Sequence, residues 1–318
     1  MLVEIQPREP SPVALSVPVR RTPVRRSAGR LAPYLYLFPA LAGLVLWVYR
    51  PLAETFDYSF YNWDLLPTSP RLAVGWSNYK QLSHLPALWQ AVGTTGVYIA
   101  GLIVFGVGLP LLIGVVAQNV SPRSRSAYRA LIFLPVLVSP VVAATLWEFL
   151  LAPSGGLVDT VLGWFGLAQT NWLQQPDTAK YAIVAISGWK LLGVSVLVLT
   201  AGLAAISPEY SEAAAIDGAS RAQVFRRITL PLLSPTLMFM FITAVLFSSQ
   251  IVFPLINVLT QGGPQGASTD VYYFLYQYGF TSFNVGLASA AAVCFFIAFG
   301  VLALICAWLL DRFSFYDN

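Results

Sequence analysis

The chain has 318 residues, of which 57% are hydrophobic and 10% charged, with a mean hydropathy of +0.68 and a formal net charge of +4. Soluble globular domains carry about 25% charged residues, so a water-soluble fold of this composition would lack polar side chains to cover its surface. The composition excludes disorder, a nucleic-acid-binding domain and a disulfide scaffold, and it indicates lipid as the solvent. Cys294 and Cys306 lie in one apolar run and give no information on an oxidising compartment.

The first 30 residues form a segment rich in Pro, Ser and Arg with no apolar periodicity. We predict a disordered, basic cytoplasmic tail held near anionic lipid headgroups, with a specific binding role as the alternative. The tail and the apolar run after it resemble a signal peptide. That run is too long, however, and no small-residue cleavage site follows it, so we predict a retained first helix.

Six apolar runs approach the roughly 20 residues that a helix needs to cross the membrane. The sequence therefore predicts an all-α membrane protein with six transmembrane helices. Their approximate limits are Leu31–Tyr49, Leu88–Ala117, Ala130–Trp147, Tyr181–Ile206, Leu232–Leu259 and Val285–Leu310.

The basic residues predict the orientation of these spans, because short loops rich in Lys and Arg stay in the cytoplasm. Thirteen of the 18 precede the first span or follow the second, fourth or sixth. Four lie in the other loops, and Lys190 lies within the fourth span. We therefore predict that both termini and the loop after the fourth span are cytoplasmic.

That cytoplasmic loop, residues 207–231, contains signals for two short helices. Ser207 followed by Pro208 predicts a helix start, and Gly218 predicts its end. Ser220 and Gln223 form the S-x-x-Q pattern of a capping box, which starts a second helix. Two interpretations remain open: an amphipathic loop on the membrane surface, or a docking element for a groove in a cytoplasmic partner.

The second helix has two predicted faces. One carries Val224, Phe225 and Ile228, and the other carries Arg226 and Arg227. Pro231 is predicted to stop this helix before the fifth span.

Three motifs in this chain resemble those of bacterial ABC importer permeases of the carbohydrate-uptake branch. Glu212-Ala213-Ala214, with Gly218 six residues after Glu212 and then Ile228-Thr229-Leu230-Pro231, is similar to their EAA loop. Leu259-Thr260-Gln261-Gly262-Gly263-Pro264, followed by Tyr276 and Gly279-Phe280, resembles their segment between spans five and six. Phe133-Leu134-Pro135 with Ser139-Pro140 and Leu146-Trp147 looks like their third span.

The resemblance covers essentially residues 31–318 and implies a MetI-like permease domain in a bacterial inner membrane, with coupling helices at 207–231. It implies three kinds of partner besides membrane lipid: a second homologous permease subunit, an ATPase dimer and an extracytoplasmic solute-binding protein. Transport would proceed by alternating access. The residues expected to couple the chain to the ATPase are Glu212, Ala213, Ala214, Asp217 and Gly218.

No enzyme motif accompanies this resemblance. Gln81, Tyr181 and Leu191 follow the three lysines, so none completes a P-loop. His84 is the single histidine, and no G-x-S-x-G elbow occurs. We therefore expect no catalytic residue, metal site or cofactor on this chain, no nucleic acid partner, and ATP hydrolysis on partner subunits.

Several polar residues inside the spans are candidates for the substrate pathway. Lys190 either forms a salt bridge, with Glu148 as a possible partner, or donates to a backbone carbonyl, or faces the pathway. The fifth span carries polar residues that make interhelical hydrogen bonds or face substrate. These candidates are Ser248, Ser249, Gln250 and Asn257.

The expected substrates are sugars or sugar-like solutes, including polyols, glycerol-3-phosphate and glycerophosphodiesters. Phe253-Pro254 ahead of the Gly-Gly-Pro turn resembles the corresponding segment of glycerol-3-phosphate permeases. The rival classes are a secondary transporter, although no inverted repeat is evident, and a scaffolding membrane protein.

Overall fold

The computed structural model describes residues 32–117, 122–153, 155–167 and 170–313. The predicted tail, residues 1–30, lies outside them. Two compact units are distinguished, one ending at Leu52 and the other beginning at Ala53. The first described helix begins at Ala32 and continues through Arg50, where the sequence predicts its end, to Tyr58. Arg50 ends the uncharged run, but a charged residue does not by itself terminate a helix.

The described residues form the following elements in chain order. The first span comprises Ala32–Leu44, a π-helical turn at Val45–Tyr49, and Arg50–Tyr58. A two-stranded antiparallel hairpin, in which Tyr61 pairs with Ala73, and helix Ser77–Ser83 follow. Next come Pro86–Ile103, a π turn at Val104–Gly108, Leu109–Ala117, Pro122–Leu137, Pro140–Leu150, Leu157–Trp164 and Pro176–Ala204.

The second half of the chain is also helical. Its helices are Pro208–Ile216, Arg221–Val224 with a π turn at Phe225–Thr229 and Leu230–Leu232, Ser234–Leu246, Ser248–Leu255 with a π turn at Ile256–Thr260, Val271–Tyr276 with a π turn at Gln277–Thr281, and Val285–Phe313.

Four helices are long and apolar enough to cross a membrane as single segments. They are Tyr36–Tyr58, Pro86–Val115, Pro176–Ala204 and Val285–Arg312. These are the predicted first, second, fourth and sixth spans, whose existence is confirmed.

The predicted third span is not one straight helix. Ala130–Leu137 and Pro140–Leu150 meet at an angle of 106°. Ser139 between them has an extended backbone, and its hydroxyl accepts a hydrogen bond from the amide of Val142 at 3.3 Å. Because Ser139 and Pro140 are a good N-cap and first residue, the sequence here starts a new helix and does not continue the old one.

The predicted fifth span is also broken, into Ser234–Leu246 and Ser248–Thr260 on either side of Phe247. The Ser248 hydroxyl donates to the carbonyl of Val245 at 2.9 Å. Serine hydroxyls that bond back to the preceding helical turn bend helices, which accounts for a break without a nearby proline.

Pro231 does not end the helix before this span, contrary to the prediction. The helix continues to Leu232, and the chain then turns by 63° into Ser234–Leu246. Pro235 lies in the first turn of that next helix. Its missing N–H and fixed φ favour a place in the first turn of a helix, so a new helix begins at Ser234.

The fourth span, Pro176–Ala204, lies at the centre of the second unit. Its buried residues pack against the second span and against Pro122–Leu137. A Cβ atom on Gly193 would lie 2.6 Å from the backbone oxygen of Ile132. Glycine therefore permits backbone-to-backbone approach of two helices, as is common in membrane bundles.

Lys190, on the same span, lies at the bend of the third. Its ammonium group donates to the carbonyls of Pro135 and Val138 at 3.1 Å and 2.5 Å. The carbonyl of Pro135 belongs to the last turn of the helix that stops at Leu137, and that of Val138 follows it directly, so neither has a partner within that helix. Among the described residues, these carbonyls and not Glu148 are the partners of Lys190.

We expect Lys190→Met to destabilise the protein, because methionine has similar length and no donors. The loss should be about 1 to 3 kcal/mol in the free energy of unfolding, the cost of leaving buried acceptors unpaired. Lys190→Arg, which retains donors, serves as the matched control. Thermal unfolding in detergent checks the prediction. An unchanged unfolding midpoint in Lys190→Met would contradict this structural role.

Candidate functional site

The EAA helix pair consists of Pro208–Ile216 and Arg221–Leu232. Three of the five predicted coupling residues lie in its first helix, and Asp217 and Gly218 lie in the turn that joins the two helices. Its first helix starts as the sequence predicts. The hydroxyl of Ser207 accepts a hydrogen bond from the amide of Glu209 at 3.4 Å, and Pro208 occupies the first turn. Glu209 also lies in that turn, where its negative charge interacts favourably with the positive end of the helix dipole.

Gly218 ends this helix in a left-handed conformation, with φ of +77°. The amide of Gly218 donates to the carbonyl of Ala215 at 3.1 Å, and that of Ala219 donates to the carbonyl of Ala214 at 2.9 Å. These two bonds form a Schellman motif. A Cβ at Gly218 would meet no atom within 4 Å. Glycine is therefore needed here because of the positive φ, and not because a side chain would clash.

The second helix begins with the predicted capping box. The Gln223 side chain accepts from the amide of Ser220 at 2.7 Å, and the Ser220 hydroxyl accepts from the amide of Gln223 at 3.4 Å. The two predicted faces also form. Val224, Phe225 and Ile228 are half-buried, whereas Arg226 and Arg227 are exposed.

The pair presents an open surface and a small cavity. Glu212, Ala213, Asp217 and Gly218 are exposed, and Ala214 is half-buried. Ile216 exposes 87% of its surface, a large apolar side chain with no cover. A cavity of about 260 Å³ lies between the connecting turn and the second helix, lined by Asp217, Gly218, Ala219, Gln223, Val224, Arg227 and Ile228.

The fifth-span candidates separate into two groups. Ser248 and Ser249 are buried, whereas Gln250 and Asn257 are exposed. The two exposed residues are seven positions apart, about two helical turns, so they lie on one face. Lys190 is not part of this group, because its ammonium group is bound at the bend described above.

Sequence reasoning missed a polar seam between the second span and the GGP loop, residues 261–270. Three side chains spaced four residues apart on one face of the span donate to carbonyls of the loop. The pairs are Gln90–Gln265 at 3.2 Å, Thr94–Ala267 at 3.4 Å and Tyr98–Ser268 at 2.8 Å. The signal in the sequence is this four-residue spacing, but nothing local identifies the loop as its partner.

Among the residues that the structure describes, no group of three or more His, Cys, Asp or Glu side chains is arranged to hold a metal ion.

Comparison with known protein families gives one match over nearly the whole described chain. Residues 33–314 match the family of binding-protein-dependent transport system inner membrane components. The relatives include the sn-glycerol-3-phosphate transport system permease protein UgpA of Escherichia coli O6:K15:H31, 35% identical over 287 residues, covering 89% of this chain and 93% of that protein. The probable ABC transporter permease protein YurN of Bacillus subtilis is 34% identical over 266 residues, covering 83% and 90%.

The fold is likewise matched by a solved structure. A chain of a bacterial ABC transporter involved in the import of the acidic polysaccharide alginate superposes with a TM-score of 0.78 at 24% identity, over 89% of this chain and 96% of that one. The same transporter in complex with alginate pentasaccharide-bound periplasmic protein gives a TM-score of 0.77.

These matches exclude the rival predictions of a secondary transporter and a scaffolding protein. The chain belongs to the binding-protein-dependent transport system inner membrane components, the permease subunits of bacterial ABC importers.

Proposed function

We propose that this permease imports a sugar-like or phosphorylated polyol solute, and that its EAA helix pair is the docking surface of the ATPase. The observation that carries the proposal is the exposed helix pair with its Schellman turn at Gly218. A simple connection between two spans needs neither two capped helices nor an uncovered isoleucine.

The chemistry of the pair suits a protein partner. Burying a side chain such as Ile216 contributes about 1.5 to 3 kcal/mol, and Glu212 and Asp217 supply charge beside it. The cavity next to Gly218 offers a concave site for a side chain of the partner. Helix in groove is a common mode of recognition.

The helix pair also has a direct route to the pathway. Arg221–Leu232 joins Ser234–Leu246 through the single residue Leu233, at an angle of 63°. A displacement of the pair is therefore passed to the fifth span, which carries Gln250 and Asn257. In the proposed mechanism ATPase closure moves the pair inward and opens the pathway outward.

The proposed assembly contains a second homologous permease, an ATPase dimer and an extracytoplasmic binding protein. Both termini and the EAA helix pair lie in the cytoplasm, as the basic residues predict. Polar side chains in membrane spans face a bundle interior or an aqueous cavity. We therefore assign the face with Gln250 and Asn257 to the substrate pathway between the two permeases, with Ser248 and Ser249 supporting it from behind.

The substrate class is inferred from the relatives. UgpA proteins are named for sn-glycerol-3-phosphate transport, and the importer with the matching fold is described with an acidic polysaccharide. We propose glycerol-3-phosphate or a related phosphorylated polyol first, and neutral sugars or glycerophosphodiesters second. Lys190 does not argue for an anion, because its ammonium group is bound to two carbonyls.

We expect the reconstituted complex to hydrolyse ATP faster when its binding protein is loaded with substrate. The test measures ATPase activity in proteoliposomes with the binding protein and, in turn, sn-glycerol-3-phosphate, glycerol and a neutral disaccharide. Stimulation by the first alone supports the proposed substrate class. Stimulation by the disaccharide alone would overturn that class and retain the importer.

We expect Gly218→Val in the same complex to lower stimulated ATPase activity and uptake at least tenfold. A β-branched residue is strained at positive φ, so the turn between the two helices cannot keep its shape. Gly218→Asn is the control, since asparagine tolerates this conformation. Membrane levels of both variants should match the wild type, and normal uptake by Gly218→Val would refute the assignment.

We expect cysteines at 250 and 257 to react with a membrane-impermeant thiosulfonate reagent. The variants Gln250→Cys and Asn257→Cys are made with Cys294 and Cys306 replaced by serine. The matched controls are Ile297→Cys and Leu304→Cys, which have the same seven-residue spacing and are exposed on the sixth span. Reaction at the first pair and not at the second supports an aqueous pathway. Equal reaction at both pairs, or none at 250 and 257, would contradict it.

A further inference from the structure

Asp270 is a fully buried carboxyl outside the membrane spans that the proposed transport mechanism does not use. It shows no exposed surface, and it ends the GGP loop at the start of helix Val271–Tyr276. One carboxyl oxygen, Oδ1, accepts a hydrogen bond from the amide of Tyr273 at 2.7 Å. This bond makes Asp270 the N-cap of that helix.

The second carboxyl oxygen is unsatisfied. Within the described chain, Oδ2 of Asp270 is buried without a hydrogen-bond partner, and so is the hydroxyl of Ser249. The Ser249 hydroxyl lies close enough to the carboxyl to act on its pKa, without forming a hydrogen bond of normal geometry. Unsatisfied buried polar atoms are rare in native proteins and call for an explanation.

This carboxyl lies where three parts of the fold meet. Ser249 belongs to the fifth span and is two residues beyond the break at Phe247. From the second span, the Tyr98 hydroxyl donates to the carbonyl of Ser268 at 2.8 Å. The Thr95 hydroxyl accepts from the amide of Val271 at 3.0 Å. Asp270 therefore lies where the GGP loop, the second span and the broken fifth span contact one another.

Burial raises the pKa of Asp270 from its ordinary 3.8 to about 6, while the hydrogen bond from the Tyr273 amide and the nearby Ser249 hydroxyl lower it. A carboxyl whose pKa is raised by folding stabilises the buried arrangement most fully when protonated. That contribution declines as the pH rises from about 4 to about 6 and above.

Asp270 is the residue that titrates in this pH range, because the groups that face it do not. Tyr98 faces it from the second span, and phenols do not ionise between pH 5 and 8. The fifth span contributes Ser249, and its own helix contributes the backbone amides of Tyr272 and Tyr273, none of which titrates.

We propose that Asp270 is a positioning residue whose protonation controls the docking of the GGP loop on the second and fifth spans. The protonated carboxyl keeps the loop docked beside the break in the fifth span. Deprotonation favours an undocked arrangement in which the carboxylate is hydrated, and the proton passes to water.

Hydrogen exchange on the intact complex in lipid nanodiscs tests this inference at the loop itself. The amides of Val271 and Tyr273 are bonded to Thr95 and Asp270, so peptides covering residues 262–276 report undocking. After correction for intrinsic exchange, protection in the wild type should fall about tenfold from pH 5 to pH 7, the linkage expected for a pKa of about 6 when buried and 3.8 when hydrated.

Three variants separate titration from mere packing. Asp270→Asn keeps the cap and should remove the pH dependence. Ser249→Ala removes a group that favours ionisation of Asp270. The protection of the loop amides in this variant should therefore fall at higher pH than in the wild type. Asp159→Asn is the control, because Asp159 is buried, accepts from the Trp172 indole at 2.9 Å and also has an unsatisfied Oδ2 among the described residues. It should behave as the wild type.

A pH dependence that survives in Asp270→Asn, or that is absent in the wild type, would overturn the inference. A second readout is the dependence of the initial uptake rate on external pH, which should flatten in Asp270→Asn and not in Asp159→Asn. This arm rests on the proposed function. Absent uptake in the wild type would contradict that function, while the exchange experiment would still decide the role of Asp270.

Discussion

In hydrocarbon, every backbone group freed by a bend must find a partner inside the protein. The third span bends by 106°, and the carbonyls of Pro135 and Val138 at that bend are bonded by Lys190 of the fourth span. The break in the fifth span has a serine hydroxyl bonded back to Val245. A permease that rearranges needs broken helices. These helices are stable where a side chain donates a hydrogen bond to the carbonyls that the break leaves unpaired.

This constraint sorts the polar residues of the spans by role. Lys190 and Ser248 donate hydrogen bonds to backbone carbonyls, so their role in the membrane is structural. Gln250 and Asn257 are exposed on one face of the fifth span, where exposure to lipid would be costly. Under the proposed function this face lines the pathway, and it is moved by the EAA helix pair, which joins the first half of the fifth span, Ser234–Leu246, through Leu233.

Features that depend on local chemistry could be predicted from the sequence. The capping box of Ser220 and Gln223, the helix end at Gly218 and four of the spans follow from neighbouring residues or from the length of an apolar run. The bends could not be predicted in the same way. The partner of Lys190 lies 52 residues away, and hydropathy does not distinguish a straight span from a broken one. The polar seam of the GGP loop was missed for the same reason, since Tyr98 and Ser268 are 170 residues apart.

The central claim is that the EAA helix pair is the ATPase docking surface, and cross-linking tests it most directly. In a chain with Cys294 and Cys306 replaced by serine, Ala213→Cys places a thiol on the exposed face of the first helix, and a short heterobifunctional reagent joins it to nearby lysines. We expect a permease–ATPase adduct in the assembled complex whose yield changes when ATP is added. We expect no such adduct from Ser83→Cys, an exposed position on the opposite side of the predicted topology. Equal adduct yields from positions 213 and 83, or none from 213, would show that the EAA helix pair is not the docking surface.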